Sequence, residues 1–291
     1  MVIAVVCALS ASLLYALASV LQHRAAIAQP AEHSMRLGLL TRLVRKPLWV
    51  IGIACDGLAY LLQFVALGHG SLVLVQPLLV CGLLFALPLG AWLAGTRMER
   101  REWYAAFALV GGLSLFLVVA APGNGHAEVS NQAWILLFLC CGGAAAALVV
   151  GARGRQNRQR AALLAGAAGM TYGITAALTK AAAHLFGSGG FPELLTSWEA
   201  YALLGFGLLG MLLAQSAFQA GPLDASLPVL TVVDPIVSIF IGALVLGEGI
   251  ATGWGPTLLE AIGLAIVTVS VFVLSRAEAV QVAHEEMAEA R

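Results

Sequence analysis

The chain has 291 residues, of which 60% are hydrophobic and 10% are charged, and its formal net charge at pH 7 is zero. Soluble domains carry about a quarter charged residues, so this chain has too little polar surface to be a soluble domain. A net charge of zero also argues against a nucleic-acid partner, because nucleic-acid-binding proteins need an excess of cations. The composition predicts an integral membrane protein.

Nine stretches are long and apolar enough to cross a hydrocarbon core, which takes about 20 residues of helix. We number these stretches as spans 1 to 9 in chain order. They are Val2 to Leu21, Leu48 to Leu67, Leu72 to Ala94, Trp103 to Ala120, Ala133 to Val150, Ala161 to Leu185, Trp198 to Phe218, Ala225 to Leu246 and Thr257 to Leu274. The fold class is therefore predicted to be an all-α integral membrane protein with nine transmembrane helices.

The cations fall on one side of this topology. All of the 15 Lys and Arg residues except Lys180 follow spans 1, 3, 5 and 9, and the connection 121–132 has none. The positive-inside rule predicts a multi-pass protein of the cell membrane with its N-terminus outside and its C-terminus in the cytoplasm. The basic segment 36–46 is predicted to be a short amphipathic helix that binds anionic membrane lipids.

Small residues recur at every fourth position in spans 1 and 6, a spacing that lets helices approach closely in lipid. They are Ala4, Ala8, Ser12 and Ala16 in span 1, and Ala161, Ala165, Gly169 and Gly173 in span 6. A second match with a constant shift relates spans 2–4 to spans 7–9. Its pairs are Leu61 with Leu213, Gln63 with Gln215, Gly90 with Gly242, Ala91 with Ala243, Gly95 with Gly247, and Gly111 with Gly263.

These matches predict two four-helix repeats, 1–120 and 161–275, joined by a linker helix and a basic loop at 121–160, with a cytoplasmic tail at 276–291. Since the shift covers an odd number of crossings, the second repeat is inverted. Inverted repeats are typical of secondary transporters, which bind substrate near the midplane between the halves. The alternative is chance matching in a sequence rich in Gly, Ala and Leu.

Several short motifs resemble those of the drug/metabolite transporter superfamily, in its EamA-like, nine-helix branch with the NIPA-type magnesium transporters. They are Pro47 to Gly52, Ala66-Leu67-Gly68 before Gln76-Pro77-Leu78, and Pro235 followed by Gly242 to Gly247-Glu248. The resemblance implies a carrier built from two inverted bundles. Tyr60 stands where a NIPA-type protein is expected to have Glu, and Gln63 replaces an Asn. This departure counts against magnesium transport.

Two carboxylates are predicted inside the membrane, Asp56 in span 2 and Asp234 in span 8. A carboxylate at the centre of a span costs about 2.5–3.5 kcal/mol, so such residues are usually functional. Either could load and release a proton or bind a cation. The alternative is a hydrogen-bonded structural Asp that ties two helices together.

Prolines fall inside two spans at matching positions, Pro77 and Pro88 in span 3 and Pro228 and Pro235 in span 8. They predict interrupted helices that line a site, although prolines also kink helices for packing alone. The polar side chains Gln63, Gln76, Gln215, Tyr15 and Tyr172 are candidates for substrate binding. Lys180 is predicted to snorkel to water, or to pair with Asp56, Asp234 or Glu260. Glu248 is predicted to be capping or solvated, and the alternative for Glu260 is that it is solvated.

Nothing in the sequence favours an enzyme or a cofactor. His69 falls in a tight turn without a third catalytic group, the five Cys residues lack metal-ligand spacing, and no ATP-binding loop is present. The sequence therefore predicts a secondary transporter for a small polar or amphipathic solute, coupled to protons or cations. The alternatives are a NIPA-type divalent-cation transporter and a non-transporting membrane scaffold.

Overall fold

The computed structural model describes residues 1–27, 46–94, 98–121, 123, 129–221, 223–248 and 253–289. The amphipathic helix predicted at 36–46 lies outside these ranges except for Lys46. Within the described ranges, nine helices are long and apolar enough to cross a membrane, and no strand is present. Spans 1 to 9 are Val2–Leu21, Pro47–His69, Leu72–Trp92, Arg100–Ala120, Asn131–Gly151, Asn157–Thr196, Trp198–Ala220, Ala225–Leu244 and Trp254–Ala277. The protein is a multi-pass, all-α membrane protein, as predicted.

Spans 3 and 8 differ in a way that their prolines did not predict. Span 3 is two helices, Leu72–Val80 and Gly82–Ala94, which meet at Cys81, one turn after Pro77. Span 8 lies within one continuous helix, Leu223–Leu244, despite Pro228 and Pro235. A proline removes one backbone hydrogen bond, but neighbouring helices in a membrane protein can hold the helix together around it. The prediction of two interrupted helices is therefore confirmed for span 3 and wrong for span 8.

Three spans depart from a regular helix or from their predicted length. Span 5 contains a π-helical segment, Phe138–Gly142, in its middle. The helix of span 6 turns at Gly190, whose φ of 68° is a conformation that favours glycine. The helix of span 9 continues to Glu289, so the predicted tail is helical through most of its length.

The two halves repeat one packing pattern. Span 1 packs against spans 2 and 3, and span 6 packs against spans 7 and 8. The turn after span 2 lies on the start of span 1, where a Cβ at Gly70 would be 2.6 Å from the Ala4 Cβ. The turn after span 7 lies on span 6 in the same way, where a Cβ at Gly221 would be 3.1 Å from the Ala161 Cβ. The fold is two inverted four-helix repeats with span 5 as the linker.

Spans 4 and 9, which occupy equivalent places in the two repeats, cross each other at a pair of glycines. A Cβ at Gly112 would lie 3.1 Å from the Gly263 carbonyl oxygen and 2.7 Å from Ile266. A Cβ at Gly263 would lie 3.0 Å from the Gly112 carbonyl oxygen. Lipid gives helices no hydrophobic reason to associate, so this close backbone contact is one of those that hold the two halves together.

We expect Gly112→Val to destabilise the protein by about 1–3 kcal/mol, because the added side chain overlaps Ile266 and the backbone of span 9. Gly111→Val is the matched control: it makes the same substitution one residue earlier, where no atom lies within 4 Å of the new Cβ. Thermal unfolding of both variants in detergent tests this. Equal loss of stability in the two variants would show that the crossing does not depend on Gly112.

Candidate functional site

A cavity of about 770 Å³ lies among spans 1, 2, 3, 6, 7 and 8, at the middle of the bundle. Its wall brings together five of the predicted site residues, Tyr15, Gln63, Gln76, Tyr172 and Asp234. These side chains come from five different spans and both repeats. Polar side chains of both repeats therefore line one cavity.

Spans 2 and 6 supply hydroxyl and amide groups to this wall. Tyr15 Oη donates a hydrogen bond of 2.8 Å to Gln63 Oε1, which joins spans 1 and 2. Thr175 and Thr179 each donate to a carbonyl of their own helix, at 2.9 and 2.8 Å. Because these hydroxyl protons are used inside span 6, their oxygen lone pairs remain available to accept hydrogen bonds from a solute.

Asp234 is the one carboxylate among the described residues that line the cavity. Its Oδ1 accepts a hydrogen bond of 3.3 Å from Ser238, one turn further along span 8. Glycines of span 6 let span 8 come close: a Cβ at Gly169 would lie 3.1 Å from the Asp234 nitrogen, and one at Gly173 would lie 3.3 Å from the Ser238 nitrogen. The small residues at every fourth position of span 6 thus let the part of span 8 that carries Asp234 pack closely against span 6.

Gln76 carries a polar group that the protein itself does not use. The side chain lines the cavity, the residue is only 4% exposed, and its Nε2 has no hydrogen-bond partner among the described residues. A buried donor without a partner costs about 1–3 kcal/mol. This cost is offset when a ligand or water in the cavity accepts the hydrogen bond.

The prolines of spans 3 and 8 meet next to the cavity. Pro77 and Pro235 both line a small apolar void between spans 3, 4, 8 and 9, and Pro235 also lines the main cavity. Pro235 has no N–H for the carbonyl of Thr231, four residues earlier, and Thr231 is itself a lining residue. Pro88 and Pro228 are not part of the cavity wall.

Three predicted binding residues lie outside the wall: Gln215, Asp56 and Lys180. Gln215, the repeat partner of Gln63, is exposed on span 7. Asp56 is half-buried on span 2, one turn before Tyr60, and interacts with other groups of the protein. The structure therefore brings Asp234 to the cavity but not Asp56.

Lys180 does not snorkel to water, and the ion pair that it forms among the described residues is with none of its three predicted partners, Asp56, Asp234 and Glu260. It is buried in span 6 and forms an ion pair with Glu248, which follows span 8 and is 1% exposed. Glu248 also accepts hydrogen bonds from the backbone nitrogens of Leu72 at 2.6 Å and Val73 at 2.7 Å. Glu248 is not solvated: its backbone N–H donates a hydrogen bond of 3.0 Å to the Gly242 carbonyl in the last turn of span 8, and its side chain caps the start of span 3. A carboxylate there satisfies free N–H groups and complements the helix dipole.

The sequence around Glu248 explains this geometry. A Cβ at Gly242 would lie 2.5 Å from Glu248 Oε2 and 2.9 Å from Val73, so only glycine leaves room for the carboxylate. Gly247 has a φ of 58° and turns the chain back toward the bundle. We call this region, where spans 2, 6 and 8 end, the Glu248 end, and the opposite end, which carries Arg100, Arg101 and Arg276, the arginine end.

Further contacts cover the cavity at the Glu248 end. Phe64 of span 2 and Phe186 of span 6 pack edge to face with their ring centroids 6.0 Å apart. A Cβ at Gly68 would lie 3.4 Å from Ala183 in the same pair of helices. Span 2 thus closes on span 6 at this end, while the described parts of spans 1 and 7, the equivalent pair, show no comparable packing.

Sequence reasoning missed several groups. Thr175, Thr179 and Thr231, which were not among the candidates, line the cavity. Tyr60, which the sequence had singled out, lines it too, with its hydroxyl 3.4 Å from Thr179 Oγ1. The fourfold spacing of the threonines in span 6 was a usable signal. Glu260, for which solvation was one alternative, is 8% exposed, and its Oε1 has no partner among the described residues.

We expect Lys180→Met and Glu248→Gln each to destabilise the protein by about 3–5 kcal/mol, because each leaves one buried polar partner without its counterion. The double variant should lose clearly less than the sum of the single losses, which a double-mutant cycle of thermal unfolding in detergent measures. Glu193→Gln, at an exposed site, is the control. Additive losses would contradict a direct interaction between the two side chains.

Comparison with known proteins places the chain in a family without assigning an activity. No protein-family model and no solved structure match the chain. An uncharacterized protein of Corynebacterium glutamicum is 35% identical over 274 residues, which cover 94% of this chain and 95% of that protein. This similarity extends over all nine spans, so the chain belongs to the same family as the Corynebacterium glutamicum protein.

Proposed function

We propose that the protein is a secondary transporter that moves a small polar or amphipathic solute across the membrane by alternating access. The observation that carries the proposal is the cavity of about 770 Å³ between two inverted repeats, with Gln76 on its wall, whose Nε2 has no partner among the described residues. A volume of roughly 300–1,000 Å³ is typical of small-molecule sites. Inverted-repeat carriers bind their substrates at this place in the fold.

The two ends of the bundle support alternating access. The Glu248 end is covered by the ion pair of Lys180 with Glu248 and by the contact of Phe64 with Phe186. The transport cycle requires the bundle to open there and to close at the arginine end. The halves would then rock about the crossings of span 3 with span 8 and of span 4 with span 9.

Asp234 is proposed to bind the coupling proton or cation. It lies in the cavity wall on span 8, next to Pro235 and hydrogen-bonded to Ser238. A carboxylate at this depth is costly unless it is neutralised. Binding of a proton or cation from one side, and its release to the other, would couple an ion gradient to solute movement.

Membership of the drug/metabolite transporter superfamily, in its EamA-like branch, is part of the same proposal. It is supported by the inverted nine-span fold and by the place of Gly242, Gly247 and Glu248 at the capped start of span 3. By the positive-inside rule the arginine end would face the cytoplasm and the Glu248 end the outside of the cell membrane. The described conformation would then be closed to the outside.

A divalent-cation transporter is the weaker candidate. Among the described residues, no three His, Cys, Asp or Glu side chains are grouped as metal ligands, and the cavity wall offers Asp234 alone. Tyr60 lines the wall where a NIPA-type carboxylate was expected.

A membrane scaffold is the other alternative. It would tolerate changes at Asp234 and be sensitive to loss of the loops or tail.

The direct test is flux in proteoliposomes loaded with a pH-sensitive dye and screened with small polar and amphipathic solutes, with and without Na⁺. We expect solute-dependent proton or cation movement that Asp234→Asn lowers at least about tenfold, equivalent to about 1.4 kcal/mol. Asp56→Asn tests the second predicted carboxylate in the same assay, and Glu199→Gln is a control outside the cavity. Normal flux in both Asp variants, with folding retained, would make the coupling assignment wrong.

A matched pair of glutamines separates the cavity from the rest of the bundle. We expect Gln63→Leu to lower transport by about tenfold, because it removes the hydrogen bond with Tyr15 and a polar group of the wall. Gln215→Leu, at the repeat-related but exposed position, should change transport by about twofold or less. Initial rates in the proteoliposome assay compare the two variants. Equal effects would show that this cavity is not the transport site.

A further inference from the structure

The cavity is open on one side toward the bilayer. Tyr60 on span 2 is 39% exposed, and Leu204, Leu208 and Met211 on span 7 are 65%, 64% and 56% exposed, yet all four line the cavity. They lie well inside their spans, away from both helix ends. A side chain that is exposed at this depth contacts lipid. These four residues therefore form a mouth between spans 2 and 7 at the level of the acyl chains.

Three polar groups of the wall belong to spans other than the two that form the mouth. The apolar lining residues include Leu79, Val80 and Leu203, and the polar groups Gln76, Asp234 and Thr175 belong to spans 3, 8 and 6. A molecule with one apolar and one polar part would fit this arrangement, with its apolar part among the acyl chains at the mouth and its polar part at the polar groups of the cavity. A water-soluble solute would have almost no concentration at such a mouth, because the hydrocarbon core excludes it.

We propose that the substrate is a single-chain amphiphile that enters from the bilayer through this mouth, with its polar head at Gln76 and Asp234. This inference rests on the proposed function and narrows its substrate class. The head donates hydrogen bonds to the Asp234 carboxylate and to the oxygens of Thr175 and Thr179, whose own protons are used inside span 6. The Gln76 Nε2 donates in return to a hydroxyl oxygen of the head.

The charge of the wall limits the head further. Among the described lining residues there is one carboxylate, and no Lys, Arg or His. An anionic head would face Asp234 without a compensating cation, whereas an amine or a polyol would not. The substrate class is therefore an amphiphile with an amino or hydroxyl head, such as a long-chain amino alcohol.

The test uses photoactivatable sphingosine, an amino alcohol with a diazirine in its alkyl chain, and the full-length protein in phosphatidylcholine vesicles. After irradiation, mass spectrometry locates the labelled residues. We expect label on span 7 around Leu204, Leu208 and Met211. Dodecylamine at low mole fraction should reduce it by about tenfold, and butylamine by about twofold or less.

Two tryptophan variants supply the matched comparison. Leu208→Trp fills the mouth and should lower labelling by about tenfold. Leu212→Trp, one turn further along span 7, is 66% exposed but not part of the wall, and should label like the unaltered protein. Equal labelling of the two variants, or label spread evenly over exposed residues such as Val118 and Leu139, overturns the proposal.

Failure here is distinct from failure of the proposed function. Labelling reads binding alone, while the Asp234→Asn flux assay reads transport. Flux that depends on Asp234, together with equal labelling of both tryptophan variants, keeps the transporter and overturns entry from the bilayer. Labelling blocked by Leu208→Trp, with no flux for any solute, supports the amphiphile site and overturns transport.

Discussion

The structure depends on how polar groups within the hydrocarbon core, where water cannot hydrogen-bond to them, find partners inside the protein. Glu248 is the clearest case, because its buried carboxylate pairs with the Lys180 ammonium and accepts hydrogen bonds from the first two N–H groups of span 3. One side chain thereby joins spans 3, 6 and 8. It also fixes the start of the short helix Leu72–Val80, which carries Gln76 into the cavity. Gln76 Nε2 has no partner among the described residues, and on the proposed function the substrate would supply one.

The sequence was sufficient for the spans and for the repeat, and the reason is physical. A membrane-spanning helix must be long and apolar, so hydropathy identifies the spans. Close helix packing in lipid requires small residues, so small residues at every fourth position identify the helices that pack together. In the structure, small residues of this pattern make equivalent contacts in the two repeats, Ala4 with Gly70 and Ala161 with Gly221. Five of the eight predicted binding residues line one cavity, because polar side chains within a span mostly face the protein interior; Gln215, which is exposed, is an exception.

Other features could not be read from local sequence. The pairing of Lys180 with Glu248 joins residues 68 positions apart, and it depends on where span 8 ends relative to span 6. Neighbouring helices decide whether a proline interrupts its helix, and spans 3 and 8 have different neighbours. Gln63 and Gln215 were both predicted as binding residues because the repeat relates them. Of the two, Gln63 lines the cavity and Gln215 is exposed.

This last difference shows how the repeat and the proposed function fit together. Tyr15 and Tyr172 occupy equivalent positions in spans 1 and 6, and both line the cavity, so this part of the wall follows the symmetry of the repeat. Spans 2 and 7 break it: span 2 packs on span 6, while span 7 stands away from span 1. In an inverted-repeat carrier, exchanging the conformations of the two halves gives the opposite state. On the proposed function, Tyr15 and Tyr172 would stay with the substrate in both states, and spans 2 and 7 would exchange roles as the moving walls.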